Sequence, residues 1–136
     1  MELNGLLKQY LQDYEEVYDY RNIEVTIDEQ DIFNVTMNES LAVALLTNLL
    51  KNAFVHNIDG GHIRITVTKN SITFRNSGVE NPLDKEHIFE RFYQGTKKEG
   101  STGLGLAIAD SICRLQHLSI RYYFEQKEHC FEISRQ

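Results

Sequence analysis

Three polar side chains interrupt an apolar helical pattern at residues 47–57, which read TNLLKNAFVHN. Asn48, Asn52 and His56 recur every four residues, so they lie on one face of a helix predicted over 38–56 and drift only about 40° per step. Asparagine has poor helix propensity, and an amide buried without partners costs on the order of 1 to 3 kcal/mol. Either these groups cap a neighbouring strand edge or loop, or they face a polar guest such as hydrated Mg²⁺ with phosphates.

A cluster of glycines forms the second candidate site, in GSTGLGLAIADSICRL. Gly100, Gly103 and Gly105 precede or open a helix predicted over Gly103–His117. Free backbone N–H groups and the positive end of the helix dipole hold anions at such a place, although the glycines would also suit a simple turn. The segment matches neither the P-loop pattern nor the dinucleotide-binding fingerprint.

Two shorter pieces lie between these segments. FRNSGV ends a predicted strand with Asn76 and Gly78, and Asn-Ser-Gly is also an ordinary turn sequence. IFERFYQG places Arg91 among aromatic residues, where a cation is often only a snorkelling surface residue. The polar, turn-rich stretch 77–102 around them is the loop-like region long enough to suspect a function.

The elements that must position these residues follow from hydrophobic periodicity. The pattern predicts, in chain order, an amphipathic helix in 3–20, strands at 23–27 and 31–37, the helix 38–56, a hairpin over 62–76, about two helical turns in 86–95, the helix 103–117, and strands at 119–125 and 129–133. Because the strands come largely in adjacent pairs, we expect an α+β fold with a mixed, mostly antiparallel sheet and helices on one face.

Composition limits the class of protein. The 136 residues are 41% hydrophobic with one proline, which suits a single domain over 1–136. A net charge of -6 argues against a nucleic-acid surface. The longest apolar run, 41–46, is far short of the roughly 20 residues that span a bilayer, and no signal-peptide pattern is present, so we expect a soluble piece. Cys113 and Cys130 have no metal-ligand or redox spacing and are expected to be reduced and structural.

In combination and in this order, the four pieces resemble the ATP-binding catalytic domain of sensor histidine kinases. These belong to the GHKL superfamily, which includes gyrase and the mismatch-repair and heat-shock chaperone ATPases. NLLKNAFVH resembles the N box, NSG the first glycine box, IFERFYQG the F box and GSTGLGLAIADSI the second glycine box. The resemblance covers about Leu3 to Ile133. It implies a two-layer α/β sandwich in which the sheet packs against three main helices, with a nucleotide between the helices and a mobile lid.

The resemblance also implies roles for individual residues. Asn52 matches the Mg²⁺-binding asparagine, and Asn48 the polar position one turn earlier that helps to hold the ion. Hydrolytic relatives have a glutamate there as general base, whereas Asn48 cannot take a proton near neutral pH. We therefore expect ATP to be held for transfer to another nucleophile. His56 matches an aromatic or imidazole position near the phosphates, and Arg91 the F-box arginine that meets the γ-phosphate.

The remaining implied contacts of the nucleotide are Asn76, Gly78, Tyr93, Lys97, Lys98, Gly100, Thr102, Gly103, Leu104 and Gly105. Asn76 stands where the family usually has an aspartate that accepts from the adenine amino group. An asparagine still accepts there and donates to adenine N1, so adenine binding is expected to be retained but weaker.

Besides Asn76, three positions depart from the family pattern and affect the expected activity. Glu80 replaces the second glycine of the first glycine box, Val55 stands where a Lys or Arg is frequent, and Gln94 replaces a second F-box arginine. Two phosphate-facing charges are therefore missing. Lys97 and Lys98 either replace them or form an ordinary solvated pair.

The resemblance also implies protein partners, because this sequence lacks the acceptor histidine of the family. No histidine has the context of a phosphoacceptor site, in which a glutamate follows the histidine and a proline comes a few residues later. By resemblance, the chain is expected to be one domain of a longer, membrane-associated sensor and to lie in its cytoplasmic portion. The implied partners are a histidine-containing dimerisation domain of the same protein and a response regulator. The alternatives are a nucleotide-dependent binding module, an anti-sigma-type serine kinase, which the F box disfavours, and a hydrolase, which Asn48 disfavours.

Overall fold

Three helices and five strands make up the fold in the computed structural model, which describes residues 1–91 and 104–136. The helices are α1 Leu3–Val17, α2 Glu39–Val55 and α3 Gly105–Leu115. The strands are β1 Glu24–Glu29, β2 His62–Val67, β3 Ser71–Asn76, β4 Leu118–Glu125 and β5 Glu128–Arg135. A single 3₁₀ turn, Asp19–Arg21, joins α1 to β1. The predicted α+β class is confirmed.

The strands form one sheet in the order β1-β2-β3-β5-β4. β1 pairs with β2 in parallel, and the other three pairings are antiparallel. This is the mixed, mostly antiparallel sheet that the sequence predicts. The register of the central strand β3 with its neighbour β5 places Asn76 of β3 directly opposite His129 of β5.

Alternation along the strands divides the sheet into two chemically different faces. On β2, Ile63 and Ile65 are buried while Arg64 between them is exposed. The buried face packs against the helices in one hydrophobic cluster, to which each helix contributes, for example Leu7, Leu46 and Ile112. The other face is polar, so the molecule is the expected two-layer sandwich.

The prediction of a strand at 31–37 is wrong. This segment makes one isolated antiparallel bridge, from Asn34 to Glu2, and its neighbour Phe33 accepts a hydrogen bond from the Leu3 backbone N–H at 3.0 Å. Its alternation of burial is nevertheless real, since Phe33 and Val35 are buried. A period of two shows that one face is buried, and it does not show that the backbone pairs with a sheet.

Residues 85–91 form consecutive turns and no α-helix, so the prediction of helical turns is wrong for this part of 86–95. Asp84 organises the turns: its carbonyl accepts from the Ile88 N–H at 2.9 Å, and its carboxylate from the Glu86 N–H at 3.0 Å. Ile88 is buried and Phe89 packs edge-on against the Phe131 ring. The buried Ile88 and the partly buried Phe89 therefore attach these turns to the core.

The two cysteines are unpaired and buried, as the sequence predicts for structural thiols. Burial raises the pKa of Cys113 to about 12 and that of Cys130 to about 11. Neither thiol is therefore a reactive thiolate near neutral pH. Among the described residues, no helix combines the length and the apolar character needed to cross a membrane.

Candidate nucleotide-binding site

Helix α2 separates apolar from polar side chains as its sequence predicts. It begins at Asn38, whose side-chain oxygen accepts from the Ser40 N–H at 2.7 Å, and it ends at Val55 with His56 as its cap. Asn48, Asn52 and His56 are partly exposed, whereas the leucines between them are buried. The polar stripe is therefore confirmed as one accessible face of the helix.

Asn48 directs its amide oxygen toward the start of α3. Its amide nitrogen donates to the Ala44 carbonyl at 2.7 Å, which fixes the orientation of the group on its own helix. A Cβ added to Gly105 would lie only 3.0 Å from the Asn48 oxygen. Glycine at 105 thus lets the two helices approach closely at this point, and the Asn48 oxygen lies beside the first turn of α3.

The first turn of α3 lies where the glycine cluster predicts a helix start, and its binding of an anion stays a prediction. The helix begins at Gly105 with Leu104 as its cap, and Leu104 makes no side-chain capping bond. The first N–H groups of any helix lack partners within the helix, and the dipole is positive there. The Asn48 oxygen lies beside this turn, and an amide oxygen next to such N–H groups suits a metal ion paired with an anion.

Asn76 provides a buried acceptor that the protein does not use. The residue ends β3, is 2% exposed, and donates from its amide nitrogen to the Ser77 carbonyl at 2.8 Å. Its oxygen is the one buried side-chain nitrogen or oxygen within 1–91 and 104–136 that has no hydrogen-bond partner. Exchanging the two amide atoms would set the oxygen against the Ser77 carbonyl, so the assignment is secure. The group fits a ligand that donates a hydrogen bond, as the adenine amino group does.

Gly78 brings the loop after β3 against the end of α2. A Cβ at this position would lie 2.8 Å from the His56 carbonyl oxygen and 3.1 Å from the His129 ring. Only glycine avoids both contacts. The structure therefore gives Gly78 a packing role that places the Asn76 segment next to the polar face of α2, and its predicted contact with a nucleotide stays a prediction.

A buried network that we did not predict joins α2 to the hairpin. Asn57 is fully buried, and its amide nitrogen donates to the Ala53 and His62 carbonyls at 3.2 and 3.0 Å. Its oxygen accepts from the Ser77 hydroxyl at 2.6 Å, and that hydroxyl accepts from the His62 N–H at 2.9 Å. These bonds fix the end of β3 relative to α2, and hence the spacing between Asn76 and the helix.

Arg21 holds the carboxyl end of α2, and we did not predict this either. Its guanidinium donates to the Phe54 and Asn57 carbonyls at 2.5 and 2.7 Å and to the Asp59 carboxylate at 2.8 Å. A cation is favourable at the negative end of a helix. The arginine just after α1 is visible in the sequence, but the groups to which it donates lie more than thirty residues away, so no local pattern identifies them.

Of the other residues predicted for the site, the structure describes some and leaves six outside the described ranges. Arg91 is exposed at the end of the described segment, and its approach to a phosphate stays a prediction. Val55 is 7% exposed and contributes to packing, so it presents no charge to the site. Six predicted contacts lie outside the described residues: Tyr93, Lys97, Lys98, Gly100, Thr102 and Gly103.

Comparison with known proteins places this geometry in a family. Residues 37–134 match the family described as histidine kinase-, DNA gyrase B- and HSP90-like ATPase. The chain is 33% identical over 127 residues to the heme sensor protein HssS of Staphylococcus aureus strain Newman, covering 90% of this chain and 28% of HssS. It is 43% identical over 84 residues to the sensor histidine kinase RppB of Synechocystis, covering 55% of this chain and 18% of RppB. The chain thus spans about a quarter of HssS.

Solved structures agree with these sequence relatives. The catalytic domain of the histidine kinase ThkA superposes with a TM-score of 0.84 at 26% identity, covering 98% of this chain and 91% of that one. A mycobacterial sensor histidine kinase, MprB, superposes with a TM-score of 0.85 at 18% identity over 99% and 97% of the two chains, which shows the fold. Since the family match includes both helices of the site and four of the five strands, the chain belongs to the histidine kinase-, DNA gyrase B- and HSP90-like ATPase family.

Proposed function

We propose that this chain is the ATP-binding catalytic domain of a two-component sensor histidine kinase. It would transfer the γ-phosphoryl group of ATP to a histidine on a separate dimerisation domain. The observation that carries the proposal is Asn48, whose amide oxygen faces the first turn of α3. A hydrolase needs a proton-accepting carboxylate there, and an amide cannot serve as one.

Each part of Mg²⁺-ATP has residues that fit it. The amide oxygens of Asn48 and Asn52 suit Mg²⁺, a hard cation that prefers oxygen ligands and would neutralise phosphate charge. N–H groups in the first turn of α3, which begins at Gly105, suit phosphate oxygens, and Leu104 before it is a further expected contact. The unused oxygen of Asn76 suits the adenine amino group. The contacts expected to complete the site are His56, Gly78, Arg91, Tyr93, Lys97, Lys98, Gly100, Thr102 and Gly103.

The proposed reaction is an in-line phosphoryl transfer, for which positioning and charge neutralisation supply most of the catalysis. The acceptor imidazole attacks with its own lone pair, forming the N–P bond while the bond from the γ-phosphorus to the ADP oxygen breaks. No general base from this chain is required. Asn48 is consistent with this, since it holds a ligand without activating water.

The proposal implies two protein partners and a location. The acceptor would be a histidine-containing dimerisation domain of the same full-length protein, and the phosphoryl group would pass on to a response regulator. ThkA has been solved in complex with the response regulator protein TrrA, and it superposes on this chain with a TM-score of 0.79. We place this domain in the cytoplasmic portion of the sensor.

A transfer assay tests the proposed reaction. The chain would be mixed with a separately prepared helical hairpin that carries the acceptor histidine, together with Mg²⁺ and ATP labelled at the γ-phosphate. We expect acid-labile label on the hairpin and none when its histidine is replaced. Nucleotide binding without transfer would reject the kinase and favour a nucleotide-dependent binding module, and rapid release of phosphate by the chain alone would favour a hydrolase.

The metal assignment has its own test. ATP binding would be titrated with and without Mg²⁺ for the wild type and for Asn52→Ala, with Asn70→Ala as the control in the exposed turn between β2 and β3. We expect Mg²⁺ to strengthen binding to the wild type and to the control, and to have little effect on Asn52→Ala. An unchanged Mg²⁺ dependence in Asn52→Ala would place the ion elsewhere.

A further inference from the structure

A buried histidine lies directly beside the proposed adenine acceptor, and a buried tyrosine lies next to that histidine. His129 of β5 pairs across the sheet with Asn76, and Tyr122 of β4 lies next to His129. Each side chain is 4% exposed. The assignments made so far use neither polar group, although a buried polar group in a sheet needs partners.

These two side chains are hydrogen-bonded to the loop that follows Asn76. The His129 Nε2 lies 2.7 Å from the Val79 carbonyl oxygen, and the Leu83 N–H donates to the Tyr122 hydroxyl at 3.0 Å. The Tyr122 hydroxyl lies 2.7 Å from the His129 Nδ1. Strands β4 and β5 therefore hold the loop at two points, four residues apart.

The direction of each bond follows from the chemistry of the groups. A carbonyl only accepts, so the His129 Nε2 carries the proton and donates to Val79. Burial lowers the pKa of His129, which favours the neutral ring. The neutral Nδ1 then accepts from Tyr122, whose oxygen accepts from Leu83. The Phe124 ring also packs against the His129 imidazole, and the two ring centroids are 4.8 Å apart.

The same loop determines where the Asn76 amide points. The Asn76 amide nitrogen donates to the Ser77 carbonyl, so the orientation of that carbonyl sets the orientation of the unused Asn76 oxygen. Ser77 continues into Gly78, which packs against the His129 ring, and then into Val79, which His129 holds. The path from His129 to the acceptor oxygen is thus continuous and short.

We infer that His129 and Tyr122 are positioning residues for adenine recognition: they hold the loop 78–83 so that the Asn76 oxygen is already placed for the adenine amino group. The inference rests on the proposed function. A loop that is already ordered loses less entropy when the nucleotide binds.

Adjacent tyrosines on β4 provide a matched pair of variants. Tyr122→Phe removes the hydroxyl that is hydrogen-bonded to Leu83 and His129. Tyr123→Phe removes a hydroxyl on the opposite face of the sheet, where the Arg75 guanidinium lies 3.4 Å from it. At the second position, His129→Gln keeps a donor near Nε2 and His129→Leu does not. We expect Tyr122→Phe and His129→Leu to weaken ATP binding about 5- to 30-fold, and His129→Gln and Tyr123→Phe by less than about 3-fold.

The preference for adenine separates positioning from a general loss of stability. ATP and GTP would be titrated against each variant, because guanine has a carbonyl where adenine has the amino group. Positioning predicts that Tyr122→Phe lowers the ATP-to-GTP affinity ratio and raises the KM for ATP with kcat nearly unchanged. If Tyr122→Phe weakened the binding of ATP and GTP equally, so that the affinity ratio stayed unchanged, the positioning role would be overturned. Absence of ATP binding by the wild type would instead overturn the proposed function and this assignment with it.

Discussion

The amide oxygen of Asn76 is a buried acceptor that the described protein leaves without a donor. Asn76→Ala removes this oxygen together with one bond, from the amide nitrogen to the Ser77 carbonyl. The loss of that bond is partly offset by the loss of an unsatisfied polar atom, so the melting temperature should change by only a few degrees. The affinity for ATP should fall by about 5- to 10-fold, the worth of one hydrogen bond.

Calorimetric titration of ATP against the wild type and Asn76→Ala checks this expectation. Asn70→Ala is the control, since its side chain is exposed in the turn between β2 and β3. An affinity that stays the same in Asn76→Ala would show that adenine binds elsewhere.

Gly61 is required by a close approach to the buried network. A Cβ at this position would lie 2.2 Å from the Asn57 oxygen and 2.3 Å from the Ser77 oxygen. These two atoms are hydrogen-bonded to each other, so neither moves away without breaking the network. We expect Gly61→Ala to destabilise the protein by about 2 to 3 kcal/mol.

Urea denaturation measures this cost, and Gly5→Ala in α1 is its control. A Cβ at Gly5 meets nothing within 4 Å, and alanine is the better helix former, so this variant should gain up to about 1 kcal/mol. If Gly61→Ala were as stable as the wild type, the network would not be as rigid as its distances indicate.

At the level of single residues, the sequence predicts the polar face of α2 better than it predicts the contacts that hold this face next to β3. The spacing of Asn48, Asn52 and His56 predicts one helix face, because periodicity is a local property of the chain. Asn57 follows His56 directly, yet it is fully buried, and its partner Ser77 is twenty residues away. Residue type does not distinguish an asparagine that faces a ligand from one that joins two elements, and only the three-dimensional contacts do.

Among the elements, strands β2 and β5 are connected across β3 by a carboxylate. Glu128 of β5 is 6% exposed and accepts two hydrogen bonds from Arg64 of β2, at 2.9 and 2.6 Å. The His62 Nε2 lies 2.7 Å from the Glu128 Oε2. The hydrogen bonds of Arg64 lower the pKa of Glu128 below its ordinary value of 4.5. The ionised form is therefore favoured in the folded state.

A lowered folded pKa fixes the sign of the pH dependence. The contribution of Glu128 to stability is present above pH 4.5, the ordinary value, and is lost as the pH falls through the lower folded pKa. Glu128→Gln should cost about 1 to 2 kcal/mol at pH 7, a modest figure because Arg64 is half exposed. The difference from the wild type should shrink as the pH falls below 4.5.

Urea denaturation between pH 7 and pH 3 checks this dependence. Glu24→Gln, an exposed carboxylate on β1, is the control and should follow the wild type throughout. A difference between Glu128→Gln and the wild type that stays constant across this range would contradict the role of the ionised carboxylate.

Strands were predicted correctly where the pairing partner is adjacent in sequence, because one local pattern then contains both strands. The hairpin of β2 and β3 was found because its strands are adjacent in sequence and joined by a short turn. The strand predicted at 31–37 does not form, because this segment bridges only to Glu2 at the start of the chain, and its local pattern does not show that it lacks a sheet partner. The pairing of β3 with β5 likewise depends on contacts distant in sequence.

Across the whole molecule, one hydrophobic cluster joins the helical layer to the sheet. Leu7 of α1, fully buried, belongs to the same cluster as Ile112 of α3. The Tyr14 ring of α1 also stacks on Phe54 of α2 at 6.2 Å. Because all three helices share this core, we expect the chain to unfold in a single cooperative transition.

Leu7→Ala tests this cooperativity at the helix farthest along the chain from α3. Truncating a fully buried leucine should cost about 2 to 5 kcal/mol, while the exposed control Gln9→Ala should change stability by less than about 0.5 kcal/mol. The chain has seven tyrosines and no tryptophan, so tyrosine fluorescence and far-UV circular dichroism report tertiary and secondary structure separately. Both probes should give the same, lowered midpoint in urea. If the fluorescence midpoint of Leu7→Ala came clearly before the dichroism midpoint, α1 would unfold as an independent unit and the single core would be refuted.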